Sequence, residues 1–140
     1  MLKQDQLIVQ SKLEDLTQVQ QWFDNFCSAS QLPWLESVFD QVNLALAEGF
    51  TNAVRHAHAH LPTDTPIEID LLLWQEKLEV QVWDMGEPFN PDELVEPEPG
   101  TLSVGGYGWF LMRRLANNVD YERSDSGRNC LRIVKRSTDS

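Results

Sequence analysis

The chain has 140 residues, 41% of them hydrophobic and 24% charged, with a formal net charge of −11. That length is most simply one domain, 1–140, able to bury roughly 68–70% of its unfolded surface. The acidic balance argues against a nucleic-acid partner, because binding a phosphate backbone needs clustered cations.

No apolar run approaches the roughly 18 residues of a membrane span, so no membrane partner is expected. The opening MLKQDQLIVQ lacks the basic-then-apolar layout of a secretory signal. Cys27 and Cys130 are too few for a disulfide framework and neither belongs to a close metal-ligand pair. A reducing cytoplasm is the expected setting.

In chain order, residues 6–10 (QLIVQ) read as a short strand, and residues 12–29 place Leu13, Leu16, Val19, Trp22, Phe23 and Phe26 at helical spacing. Pro33 suits the first turn of a second helix, whose stripe Leu35, Val38, Phe39, Val42, Leu46, Phe50, Ala53 runs on to about His60. Residues 67–74 and 78–84 alternate with period two and read as a hairpin. The segment 86–106 is irregular and rich in proline, glycine and acids, the kind of long loop that is usually functional or disordered. Residues 108–117 read as a helix, then 119–123 and 129–135 as a closing strand pair around Ser124-Asp125-Ser126-Gly127. The expected fold class is α+β: a two-layer α/β sandwich, a mixed or antiparallel sheet with helices on one face.

Four groups of residues point to chemistry. Glu48 and Asn52 lie one helical turn apart, roughly 40° around the axis, beside the apolar stripe and free to line a cleft; a solvated helix face is the plainer alternative. In the strand LEVQVWD, Asp84 shares a face with Leu78, Val80 and Val82, so it points into the inner layer, where a carboxylate needs a partner. Asp84-Met85-Gly86 also suits a capped turn. Gly105-Gly106-Tyr107-Gly108 precedes a helix, where amides and the helix dipole suit phosphate, although such clusters are commonly only turns. It is neither a Walker motif nor a dinucleotide fingerprint. Of His56, His58 and His60, only His56 with His60 has helical ligand spacing, and capping of the helix end by histidine is the favoured role.

With these residues in view, the chain resembles the Bergerat-fold (GHKL) ATP-binding domains of gyrases, heat-shock chaperones, histidine kinases and mismatch-repair proteins. The wording is most similar to the anti-sigma serine/threonine kinase branch, the RsbW and SpoIIAB type. The first motif reads LALAEGFTNAVRHAH, the second WDMGEPFNP, and the third GGYGWFLMRRLANNVDY. The resemblance implies ATP and Mg²⁺ as cofactors. It implies Asn52 holding magnesium through its amide oxygen, Glu48 as general base, Asp84 accepting from the adenine amino group, and Gly86 letting the base approach the backbone. Gly105, Gly106, Tyr107 and Gly108 would wrap the phosphates within a lid of about 86–108, with His56 in the same binding set. A net charge of −11 should repel free triphosphate, so a divalent cation is required on electrostatic grounds as well. Acids in the lid (Glu87, Asp92, Glu93, Glu96, Glu98) should slow triphosphate entry. Where many relatives carry a threonine near the adenine, the nearest match is Cys130, a poorer hydrogen-bonding group.

The implied function is a protein kinase that is also an anti-sigma factor, phosphorylating a STAS-domain anti-sigma antagonist, with a sigma factor or other client as second partner. A non-catalytic, nucleotide-binding partner switch is the alternative, and the same pocket serves both. Leu72, Trp74 and Trp83 fall on the sheet face away from the helices, which suggests an interface, and a homodimer fits the resemblance. Coverage of these rings by another part of the chain is the other reading.

Overall fold

A computed structural model describes residues 1–87 and 107–137. In chain order the elements are β1 (Lys3–Gln10), a 3₁₀ turn (Leu13–Asp15), α1 (Leu16–Ser30), α2 (Pro33–Asn52), a π-helical turn (Ala53–Ala57), β2 (Pro66–Leu73), β3 (Lys77–Asp84), α3 (Tyr107–Leu115), β4 (Asn118–Arg123) and β5 (Asn129–Arg136). The strands form one sheet in the order β1-β2-β3-β5-β4, antiparallel at every pairing. The α+β layout read from the sequence is therefore present, with the antiparallel form of the sheet.

Period-two patterning sets the layers. Along β2 and β3 buried and half-buried residues alternate, so Ile67, Ile69, Leu71 and Leu73 join Leu78, Val80 and Val82 on one inner face. The helices supply the opposing apolar residues: Val19, Phe23, Phe26 and Cys27 from α1, and Leu35, Val42, Ala45, Leu46 and Phe50 from α2. Phe23 stacks on Phe39 with ring centroids 5.4 Å apart. Cys27 and Cys130 are both free and buried.

Local signals place the ends. Gln31 closes α1 in the left-handed conformation, and Pro33 opens α2 at its first turn. The closing hairpin turns at Gly127, whose φ of +84° a side chain adopts only under strain. The expected second helix, run to His60, stops short: α2 ends at Asn52 and the next residues widen into the π-helical turn, in which the His58 N–H bonds to the Ala53 carbonyl.

The outer sheet face is polar and internally paired. Trp83 donates to Asp70 Oδ2 at 3.1 Å, and the Arg128 guanidinium lies 4.6 Å over its ring while bonding Glu68 at 3.3 Å. Lys77 covers Trp74 in the same way. Neither tryptophan is among the exposed large apolar residues; each ring is half-buried, with one cation of the chain lying over it. No helix among the described residues is long and apolar enough to cross a membrane.

Candidate functional site

The end of β3 carries the most developed polar cluster. Parity turns Asp84 inward, as the alternation requires, and it is only 3% exposed. Its Oδ1 accepts from the Gly86 N–H at 2.9 Å and from Asn129 Nδ2 at 2.8 Å, while the Tyr121 hydroxyl lies 3.4 Å from Oδ2. Asn129 Nδ2 also donates to the Gly86 carbonyl at 2.8 Å, so one amide ties together the carboxylate and the turn that follows it. Burial, then the adjacent Asp84 charge and hydrogen bond, pushes the Tyr121 hydroxyl well above the ordinary phenol range.

Gly86 is needed for a reason the sequence did not reveal. A Cβ there would fall 1.9 Å from the carbonyl oxygen of Ala57, inside the π-helical turn. The backbone after β3 thus lies directly against the backbone that ends the α2 run, and only glycine permits that approach.

His58 locks the same junction from the other side. It is 3% exposed; its Nε2 accepts from the Met85 N–H at 2.9 Å and its Nδ1 lies 3.2 Å from the Ser11 hydroxyl. Because Nε2 is an acceptor, the ring is neutral with its proton on Nδ1, facing Ser11. Burial lowers the His58 pKa, and the nearby Asp84 charge opposes that only in part. Histidine as a helix cap is therefore corrected for His58, whose ring nitrogens serve Ser11 and Met85. His56 and His60 are exposed, as is Arg55. A regular helix continued to His60 would keep a step of about 100° per residue, and the wider π turn breaks that phase.

Glu48 and Asn52 both stand half-buried on the last two turns of α2. Between them, Gly49 faces the core, where a Cβ would meet Leu131 Cδ2 at 2.9 Å and Met112 Sδ at 3.7 Å. The Glu48 carboxylate reaches the first turn of α3, where a Cβ on Gly108 would come within 2.9 Å of Glu48 Oε2. A carboxylate at a helix N-terminus is electrostatically favoured, and the missing side chain at Gly108 leaves it room. The structure thus brings Glu48 against Gly108, and Asp84 against Gly86. Gly105, Gly106, most of the lid and the Tyr107 side chain lie outside the described residues.

Cys130 does not take the place expected of it. The register Asp84↔Asn129 and Trp83↔Cys130 puts Asn129 on the inner face with Leu131 and Ile133, and Cys130 on the outer face with Trp83. Burial raises the Cys130 thiol to about 12, and the charges around it, Arg132, Glu79, Asp70 and Glu122, belong to that outer face. The hydrogen-bonding side chain beside Asp84 is Asn129. Asn129, Tyr121 and His58 were missed in the sequence, although the alternation Asn129, Leu131, Ile133 already carried the signal for the first.

The family model described as histidine kinase-like ATPase domain matches residues 9–135. Over 100 residues the chain is 30% identical to a protein named serine-protein kinase RsbW from Listeria monocytogenes serotype 4a, covering 65% of this chain and 62% of that protein. Like-named proteins of Bacillus licheniformis (27% over 111 residues, 71% of this chain and 66% of that protein) and Halalkalibacterium halodurans (30% over 107 residues, 71% and 64%) are similar too. The matched stretch spans about 62% of the length of the first of these relatives. With an inward, donor-anchored Asp84 and a helix-borne Glu48 facing Gly108, and with the family model matching nearly its whole length, this chain belongs to the histidine kinase-like ATPase domain family.

Proposed function

We propose that this chain is an ATP-dependent serine/threonine protein kinase and anti-sigma regulatory factor, which phosphorylates a STAS-domain antagonist and otherwise holds a sigma factor or other client. The observation that carries this reading is Glu48, half-buried on α2 with its carboxylate against Gly108 at the start of α3. In this reading Glu48 takes the proton from the acceptor hydroxyl as that oxygen bonds to the γ-phosphorus and the bond to the β-phosphate bridge breaks, releasing ADP. Asp84 receives the adenine amino group, and the backbone of Gly105, Gly106 and Gly108, with Tyr107 and His56 alongside, serves the phosphates. The names of the similar proteins support the kinase class.

Magnesium fits this donor set. Among the described residues no three His, Cys, Asp or Glu side chains gather into a cation cage. An ion that keeps several waters and takes phosphate oxygens needs only one or two protein ligands, and Asn52 is the residue that would hold it. When bound, it supplies charge neutralisation for the triphosphate in a chain of net charge −11.

The test incubates wild type and Glu48→Ala with magnesium, ATP and a candidate STAS protein. Wild type should transfer phosphate, whereas Glu48→Ala should still bind ATP and transfer about 10²–10⁴-fold more slowly. If both bind ATP and neither phosphorylates any candidate, the non-catalytic switch is the correct function. A homodimer through the outer sheet face belongs to the same proposal. Its measure is the solution mass of wild type against Trp83→Glu, and a monomeric mass for both would end it.

A further inference from the structure

We propose that Asn129 is a positioning residue for nucleobase selection: it pins one oxygen of Asp84 so that the other, Oδ2, is offered to a base amino group. This inference rests on the nucleotide reading above and adds to it a specificity device that no motif of the chain announces.

The orientation of Asn129 is over-determined. The side chain is fully buried. Its Nδ2 faces two acceptors, Asp84 Oδ1 and the Gly86 carbonyl, each at 2.8 Å, and its Oδ1 faces Arg123 Nη1 at 3.5 Å. Turning the amide over would set its oxygen against two other oxygens and its NH₂ against a guanidinium.

That fixed amide makes the two oxygens of Asp84 unequal. Oδ1 receives two short bonds, from Asn129 and from the Gly86 N–H at 2.9 Å. Among the described residues Oδ2 receives only the Tyr121 hydroxyl, at 3.4 Å. A phenol donating to a carboxylate ordinarily approaches to about 2.5–2.7 Å, so Oδ2 keeps capacity for a stronger donor. Because Gly86 and Asn129 together prevent rotation of the carboxylate, the remaining direction is fixed.

The chemistry of a matching ligand follows. An oxygen that only accepts fits the exocyclic amino group of adenine. The keto oxygen that hypoxanthine carries at that position would face an acceptor with no proton between them. Leaving such a buried pair unsatisfied should cost about 30-fold or more in affinity. The selection depends on Asp84 being unable to swing, which is the contribution of Asn129.

The experiment is calorimetric titration of ADP and IDP, with magnesium present, into wild type, Asn129→Ala, Asn129→Thr and Tyr121→Phe. Wild type should favour ADP by about 30-fold or more. Asn129→Ala should bring that ratio down by about tenfold while retaining IDP binding, because the diphosphate end is untouched. Asn129→Thr donates one bond in place of two and should fall between, and it decides the matter if Asn129→Ala does not fold. Tyr121→Phe removes a competing hydroxyl and should keep the ratio with equal or tighter ADP binding. If wild type binds neither nucleotide, the nucleotide reading itself fails and this inference with it. If wild type selects ADP and both Asn129 variants select it equally well, the positioning role alone is overturned.

Discussion

Gly86→Ala tests whether the junction between β3 and the π-helical turn is as tight as its geometry indicates. The added Cβ would sit 1.9 Å from the Ala57 oxygen, 2.5 Å from its carbonyl carbon and 2.8 Å from its Cα. All three are main-chain atoms, so no side chain can rotate away. Moving the closest contact from 1.9 Å to 3.0 Å takes at least 1.1 Å of backbone separation. Three hydrogen bonds converge on this turn, two of them buried (Gly86 N–H to Asp84 and Asn129 to the Gly86 carbonyl) and one part-buried (Met85 N–H to His58), at 2.8–2.9 Å. A shift of that size breaks at least one or two of them, and each buried group left unsatisfied costs about 1–3 kcal/mol. With the overpacking itself, the total is about 4 kcal/mol, a large part of the stability of a single domain. For this chain length that corresponds to a fall in Tm of about 12–15 °C. Thermal unfolding by circular dichroism measures it directly. A variant melting within about 3 °C of wild type would refute the reasoning, because it would mean the junction opens at little cost.

Three further predictions come from neighbouring positions. Gly108→Ala should leave Tm unchanged or raise it, since alanine gains up to about 1 kcal/mol in a helix, while slowing phosphotransfer by displacing the Glu48 carboxylate; unchanged transfer would count against Glu48 acting at this place. His58 has a folded-state pKa below its ordinary 6.5, so the unfolded chain binds the extra proton first. Its stabilising contribution is complete above that value and fades as pH falls through 6.5 toward the folded pKa, so wild type should lose more stability than His58→Gln between pH 6.5 and 5.5; parallel curves would contradict the buried neutral ring. Gly127→Val should lower stability by about 1–2 kcal/mol from the left-handed backbone alone, while Gly127→Asn should cost distinctly less, as equilibrium denaturation can measure.

Most of the fold was legible because it follows from periodicity. The alternation in PIEIDLLL and KLEVQVWD fixed both the hairpin and the inward direction of Asp84, which needs only parity to see. The helix stripe likewise located α2 and put Glu48 and Asn52 beside it. What was missed depends on events that break a period or join distant segments. A π-helical turn has no composition of its own, so His58 turning inward while His56 stays exposed could not be read from a regular wheel. The identity of the residue beside Asp84 depended on which of two adjacent positions the Gly127 turn places in register. A displacement of one exchanges Asn129 for Cys130 and the inner face for the outer. The close approach of Gly86 to Ala57 joins segments 29 residues apart, a contact no local pattern encodes.

Asp84 poses a physical question that its partners answer. Removing a carboxylate from water costs several kcal/mol, and no salt bridge among the described residues reaches Asp84. Instead it is held by an amide, a main-chain N–H and a distant phenol. If its purpose were to tie the turn, an asparagine would do so more cheaply, accepting the same two bonds on its carbonyl oxygen and presenting its NH₂ toward Tyr121. Asp84→Asn should therefore fold with equal or higher Tm. It would, however, replace the acceptor Oδ2 by a donor, which opposes an amino group and suits a keto oxygen. ADP binding should fall by about 30-fold or more, and the order of preference between ADP and IDP should invert. A variant that melts like wild type and still prefers ADP would show that the oxygen facing Tyr121 is not the one that meets the base.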